Sequence, residues 1–215
     1  MNNSLQEYLN FANKLADAAG NTSMEYFRTS LSIDNKNDES PVTIADKNTE
    51  LKIRSMIEKE YPDHGILGEE FDSINSDAEF IWVIDPIDGT RSYIAGHKDF
   101  GNLISLTQNK KPIIGIINCP AHNERWVGVK NLNSTINQKP AKSSNVINIE
   151  DAYLFTSGLY FDEPHLRGAV EKIKNKVRYF RYGGDCYMYG MLASGLIDIV
   201  IEDTLKVHDY MALIN

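Results

Sequence analysis

Between residues 80 and 90 an unbroken apolar run, Phe80-Ile81-Trp82-Val83-Ile84, passes straight into Asp85-Pro86-Ile87-Asp88-Gly89-Thr90. Such a run suits a strand buried on both faces, because a strand with one wet face alternates apolar and polar residues. The chain must therefore build a sheet covered on both sides, and that sheet delivers two carboxylates at the end of a core strand. Pro86 and Gly89 predict a turn there that aims both acids at one point. Crowded carboxylates repel and raise each other's pKa, and a hard divalent cation such as magnesium, which prefers oxygen ligands, is a physical reason to gather them. An ordinary Asx turn at the protein surface uses the same residue types, and spacing alone does not separate the two.

Past Gly89, Thr90-Arg91-Ser92-Tyr93 reads as a helical turn, whose first N–H groups favour an anion such as phosphate at Gly89 and Thr90. With 215 residues and 42% hydrophobic content, the chain can bury a core as one large domain or two closely packed halves. Its 30 acidic residues against 22 Lys and Arg leave a net charge of -8, with no long basic block, so nucleic acid is not an expected partner. Cys119 and Cys186 are the two cysteines; they form no metal motif or disulfide framework and suit a reducing cytoplasm. No basic leader opens the sequence and no stretch has the length to span a bilayer, so a cytoplasmic location and no membrane partner are expected.

Leu5, Leu9, Ala12, Leu15, Ala16 and Ala19 recur at helical intervals and predict an opening amphipathic helix ending near Gly20. After a polar stretch from Ile33 to Ser40, a second helix is expected from Thr43 to Tyr61, with Asp46 in its first turn and charged residues along its outer face. Gly65-Ile-Leu-Gly68 reads as a short strand ending at Glu69-Glu70. Asn102 to Gln108, Pro112 to Asn118 and Glu124 to Lys130 suggest an antiparallel meander. The polar stretch from Asn131 to Asn148 is the expected boundary between an N-terminal half, 1–140, and a C-terminal half, 141–215. In the latter, strands at Ala152–Ser157 and Ile197–Ile201 and helices at Glu163–Lys176, Cys186–Ser194 and His208–Ile214 are expected.

Pro41-Val-Thr-Ile-Ala-Asp46, Gly68-Glu69-Glu70, Asp85-Pro-Ile-Asp-Gly-Thr90 and the late Asp209, in that order, resemble the inositol monophosphatase family. The resemblance covers the chain from its first helix to its end. It implies a mixed α/β fold, a layered αβαβα sandwich of the inositol monophosphatase or sugar phosphatase type, and a Mg2+-dependent phosphomonoester hydrolase with two or three ions. Carried over by position, Glu69, Asp85 and the carbonyl of Ile87 hold one metal, and Asp85, Asp88 and Asp209 a second, with Asp85 bridging. Thr90, oriented by Asp46, positions and activates the attacking water. Family members continue for several tens of residues beyond the helix that follows Asp209, so the resemblance also implies a missing C-terminal portion; a homodimer is possible by the same analogy.

Within the family, Arg181-Tyr-Gly-Gly-Asp185-Cys-Tyr187, Gly190-Met-Leu-Ala-Ser-Gly195 and Lys206-Val-His-Asp209 are most similar to the histidinol-phosphate phosphatase branch. Histidinol phosphate carries an ammonium group and an imidazole, and Asp185 and Glu202, beside Asp88, are suited to bind that cationic end. Asp185 also fits a helix N-cap, and Glu202 a solvated strand end. Glu70 either supports the metal shell or is solvated. Tyr187 and Tyr189 read as packing residues, His208 as structural, and Lys36 and Arg91 as charges that attract phosphate or simply face water. Inositol phosphate, a sugar bisphosphate and a nucleotide 3'-phosphate are alternative substrates, and a non-catalytic remnant or binding subunit is the alternative of another class.

Overall fold

The computed structural model describes residues 3–30, 33–35, 41–158 and 164–215. In chain order, α1 (Asn3–Tyr26) is followed by an antiparallel pair, β1 (Ile33–Asn35) and β2 (Pro41–Thr43), then α2 (Ile44–Glu60), β3 (Gly65–Gly68), β4 (Phe80–Asp88) and α3 (Thr90–Ile94). Next come β5 (Gly101–Gln108), β6 (Lys111–Cys119), β7 (Glu124–Val129), β8 (Thr135–Ile136) and β9 (Lys139–Pro140). The remainder holds β10 (Tyr153–Thr156), α4 (Pro164–Lys174), β11 (Tyr179–Tyr182), α5 (Asp185–Ala193), β12 (Ile199–Val200) and α6 (Val207–Tyr210), which runs into a 3-10 turn at Met211–Leu213.

Besides the β1-β2 pair, two sheets organise the described elements. The large one has the order β3-β4-β5-β6-β7-β8-β9, with β3 parallel to β4 and every later pair antiparallel. The small one, β11-β10-β12, is parallel throughout. Helices α1 and α2 cover one face of the large sheet, where Ala12, Leu15, Ile53 and Ile57 pack on Trp82, Ile84, Ile104 and Leu106. The other face carries α5 and the C-terminal turn, and α5 also reaches β12 of the small sheet. Outside that sheet, Lys174 of α4 places its Nζ 4.9 Å from the Phe180 ring centroid. The expected mixed α/β, layered αβαβα arrangement results.

Several elements differ from expectation for physical reasons. Helix α1 continues past Gly20 to Tyr26, because that glycine serves close packing rather than termination: a Cβ there would lie 2.9 Å from Asn118 Nδ2. The predicted turn after Ile84 is instead an extension of β4 through Asp88, with a register shift between Asp85 and Asp88. Pro86, which has no N–H to give the ladder, is tolerated there because the bulge asks no ladder bond of it. Its carbonyl accepts from the buried Asn102 Nδ2 at 2.7 Å.

The polar stretch after β7 contains β8 and β9, which add to the large sheet, and β11 was not foreseen at all. The last predicted strand shortens to Ile199–Val200, and the last helix becomes α6 plus a 3-10 turn. Residue 163 and part of the Ile33–Ser40 stretch lie outside the described residues.

Glycine decides how the chain returns to the large sheet. Gly115 and Gly128 face each other across β6 and β7. A Cβ on the first would come within 2.2 Å of the Ala212 carbonyl oxygen and one on the second within 1.9 Å of that of Asn215. Only bare backbone admits the terminal segment so closely, and that segment carries Asp209 back towards β4.

Candidate active site

Side-chain alternation puts Asp85 on the face of β4 opposite Trp82 and Ile84, away from α1 and α2. The bulge then turns Asp88 to the same side, and α6 presents Asp209 there. One carboxylate oxygen from each of Asp85, Asp88 and Asp209 lies within 4.8 Å of the others. Asp88 Oδ2 accepts from the Cys186 N–H at 2.6 Å, and Asp209 Oδ2 from the Lys206 N–H at 2.6 Å, so both acids are oriented by backbone. Asp85 Oδ1 is buried without any hydrogen-bond partner. An orphaned carboxylate oxygen beside two further acids is a costly arrangement in bare protein, and it fits a hard cation that takes oxygen ligands.

Burial, with Glu69, Asp88 and Asp209 adding like charge, pushes the Asp85 carboxyl well above the ordinary range. Burial and then Asp185 and Asp209 do the same for Asp88, against the opposing Cys186 hydrogen bond. Glu69, at the end of β3, is the strongest neighbouring charge on Asp85 but is not part of the tight trio. Carboxyls with raised folded pKa contribute full stability below their unfolded value of about 4, and that contribution is lost as pH rises through the folded value. The cation-free protein is therefore expected to melt higher at about pH 5 than at about pH 8, and magnesium to restore the loss at the higher pH. Thermal melts with chelator and with magnesium at both pH values check this; a chelated protein that melts identically at both contradicts the charge crowding.

Asp46 has two roles at once. Its Oδ2 accepts from the Thr43 N–H at 2.8 Å and from Thr43 Oγ1 at 2.6 Å, closing a capping box on α2. Its Oδ1 lies 3.3 Å from Thr90 Oγ1, which also lies 3.1 Å from the Ile87 carbonyl oxygen. Burial raises the Asp46 carboxyl despite the Thr43 hydrogen bonds. Ile87 buries its side chain with Ala45, Tyr93 and Phe100, so its carbonyl is fixed by core packing.

A cavity of about 340 Å³ opens beside the carboxylates and is lined by Asp88, Arg91, Asp185, Tyr189, Glu202 and Asp209, among others. Asp185 does not cap α5; Gly184 holds that position, and Asp185 Oδ2 accepts from Ser92 Oγ at 2.5 Å. Burial raises its carboxyl, with the Ser92 hydrogen bond opposing that, Asp99 adding to it and His97 offsetting it. Asp185 has a left-handed backbone, φ 40°, and a Cβ on Gly89 would stand 2.8 Å from its Cγ. Gly89 thus makes room for the acid as well as opening α3.

Glu202 is not a solvated strand end: it accepts from Ser157 Oγ and, at 2.8 Å, from Tyr189 Oη. Ser92 and Ser157 carry no signal in the sequence, and Tyr189 reads there as packing, since nothing in their spacing marks them. Tyr187 does pack, stacking on His122 with centroids 4.2 Å apart. His208 lies 3.4 Å from Asp209 Oδ1. The Glu70 N–H donates to Glu50 Oε2 at 2.7 Å. Lys36 lies outside the described residues. A larger open groove of about 920 Å³, between α1 and the turn after β6, holds none of the predicted site residues. Among the described residues no helix is long and apolar enough to cross a membrane.

Fold and site together define a class: a layered αβαβα sandwich with three carboxylates gathered beside an acid-lined cavity. Residues 4–214 match the inositol monophosphatase family, and the chain belongs to it. It is 39% identical over 212 residues to the bifunctional phosphatase IMPL2, chloroplastic, of Arabidopsis thaliana, covering 98% of this chain and 61% of that protein. It is 35% identical over 208 residues to a histidinol-phosphatase of Chlorobaculum parvum, covering 96% and 80%. The fold superposes with a TM-score of 0.86 on an inositol monophosphatase from Zymomonas mobilis at 41% identity, covering 97% and 81%. The chain thus spans less than two thirds of the length of the Arabidopsis protein.

Proposed function

We propose that the chain is a magnesium-dependent phosphomonoester hydrolase that converts L-histidinol phosphate and water to L-histidinol and phosphate. The observation that carries the reading is the partnerless buried oxygen of Asp85 beside the carboxylates of Asp88 and Asp209. In this reading two or three ions are held, one by Glu69, Asp85 and the Ile87 carbonyl and another by Asp85, Asp88 and Asp209. Bound there, magnesium supplies Lewis-acid charge that offsets the negative phosphoryl oxygens.

The chain's own groups do the rest. Thr90 Oγ1 directs its proton to Asp46 Oδ1 or the Ile87 carbonyl, so its oxygen is left to accept a hydrogen bond from the attacking water; as that water's proton moves to Oγ1, the hydroxyl proton passes to the Asp46 carboxylate. Gly89 and Thr90 receive the phosphate. Asp185 and Glu202 supply negative charge along the same cavity as Asp88, which suits a substrate with an ammonium group and an imidazole. The two halves, 1–140 and 141–215, each contribute to the site, and the enzyme works in the cytoplasm, alone or as a homodimer, on a small diffusible substrate.

Inositol phosphate or another neutral sugar phosphomonoester is the second reading, favoured by the similarity to the Zymomonas mobilis inositol monophosphatase. A panel of both substrates with and without magnesium separates them. Histidinol phosphate is expected to be turned over at least about tenfold faster, the scale of one charge-assisted hydrogen bond. Faster release from inositol phosphate would move the substrate class, and no magnesium-dependent release from any phosphomonoester would favour a non-catalytic binding subunit.

A further inference from the structure

Two charged residues of α2 are inside the protein. Glu50 is fully buried and Arg54 nearly so, although the charges of this helix were expected on its outer face. Arg54 Nε donates to Glu50 Oε1 at 2.7 Å. The other oxygen, Oε2, accepts the Glu70 N–H at 2.7 Å, and Arg54 Nη2 donates to the Phe71 carbonyl at 2.9 Å. Gly68 completes the fit, since a Cβ there would fall 1.9 Å from Glu50 Oε1. The pair therefore hydrogen-bonds the backbone just after Glu69, at Glu70 and Phe71, and packs against the backbone just before it, at Gly68.

Burying two charges carries a large desolvation cost, and a pair of apolar side chains in the same space often stabilises a fold as well or better. Stability alone is a poor reason for this arrangement. What the pair adds is direction. Glu69 leaves β3, an edge strand of the large sheet, and enters bends that rejoin the sheet before β4 only at the bridge of Ile74 to Ile66. A carboxylate on such a segment is held in one place only if its flanking peptides are tied down, and supports of this kind govern how well a ligand meets its metal.

We propose that Glu50, held by Arg54, is a positioning residue that fixes Glu69 for cation binding. The inference rests on the proposed role of Glu69 as a ligand, and its test is read on metal affinity rather than turnover. Isothermal titration of the full chain with magnesium, for wild type, Glu50→Gln, Glu69→Gln and the double variant, forms a cycle. Glu50→Gln is expected to weaken magnesium binding by about tenfold or more, the scale seen when an outer support of a metal ligand is lost. In the Glu69→Gln background it is expected to cause no further loss, because the residue it acts through is already gone.

Equal losses in both backgrounds would make Glu50 a structural residue only and overturn the proposal. Unchanged magnesium affinity in Glu69→Gln would remove the ligand itself, and the proposal with it. Should Glu50→Gln fail to fold, Arg54→Lys carries the same cycle: it keeps the charge but lacks the fork that reaches both Glu50 and the Phe71 carbonyl. Wild-type protein that binds magnesium yet releases no phosphate would defeat the proposed activity while leaving this cycle intact.

Discussion

Asp88→Asn is expected to lower magnesium-dependent phosphate release by about two to three orders of magnitude, the scale of losing one group that stabilises charge in the transition state. The substitution preserves shape. An amide oxygen can keep the hydrogen bond from the Cys186 N–H, so α5 should remain seated. What disappears is one negative charge from a cluster in which burial, Asp185 and Asp209 already push the Asp88 carboxyl upward. Two effects of opposite sign should therefore appear in one variant. Without magnesium at neutral pH it should melt higher than wild type, because like-charge repulsion is relieved. With magnesium, the stabilisation that accompanies cation binding should shrink. Melting curves and a phosphate assay on the same preparation check both, and a variant that keeps wild-type turnover would remove Asp88 from the proposed hydrolytic centre.

The parts of the fold that could be read in the sequence are those where one physical demand acts alone. The Phe80–Ile84 run announces a doubly covered strand because nothing else tolerates five adjacent apolar residues in a mixed sheet, and β4 is that strand. Asp46 was placed in a first helical turn, and there it closes the capping box with Thr43. Where two demands compete, sequence reading took the commoner one. Gly20 predicts a helix stop although it serves close packing, and Pro86 a turn although it sits in a bulged strand. Strand β11, Tyr179–Tyr182, lies at a sheet edge with both ends exposed and shows no apolar alternation.

The candidate site divides along the same line. Asp85 and Asp88 are local to one strand, so their proximity was legible from spacing. Asp209 enters only because Gly115 and Gly128 let the terminal backbone settle on the sheet, and no local pattern encodes that; it was reached through resemblance. Glu50 and Arg54 were hidden for a different reason. An i,i+4 pair of opposite charges on a helix is ordinarily solvated, and only the peptides of Glu70 and Phe71, brought from another element, make this one an interior support.

Asp185→Ala is expected to cut kcat/KM for histidinol phosphate by about 10- to 100-fold, the range for a hydrogen bond to a charged group, while inositol phosphate turnover stays within a few fold. The acid is partly buried and held by Ser92 Oγ, so it presents its charge to the cavity from a fixed place. Ala also has to hold a left-handed backbone, φ 40°, which favours Gly, Asn and Asp. Loss of fold is therefore separated from loss of charge by Asp185→Asn, which tolerates that backbone and keeps a partner for Ser92 but is neutral. If recognition is electrostatic, the two variants lose the same substrate preference and only Ala melts lower. Acid supplies an independent check on wild type: burial raises the Asp185 carboxyl, so it takes up a proton at higher pH than an exposed aspartate and its pull on an ammonium group fades as pH falls through that raised value. The preference for histidinol phosphate over inositol phosphate should then narrow towards acid in wild type and stay flat in Asp185→Asn. A preference that narrows equally in both would assign the titration to the substrate or to Glu202 instead.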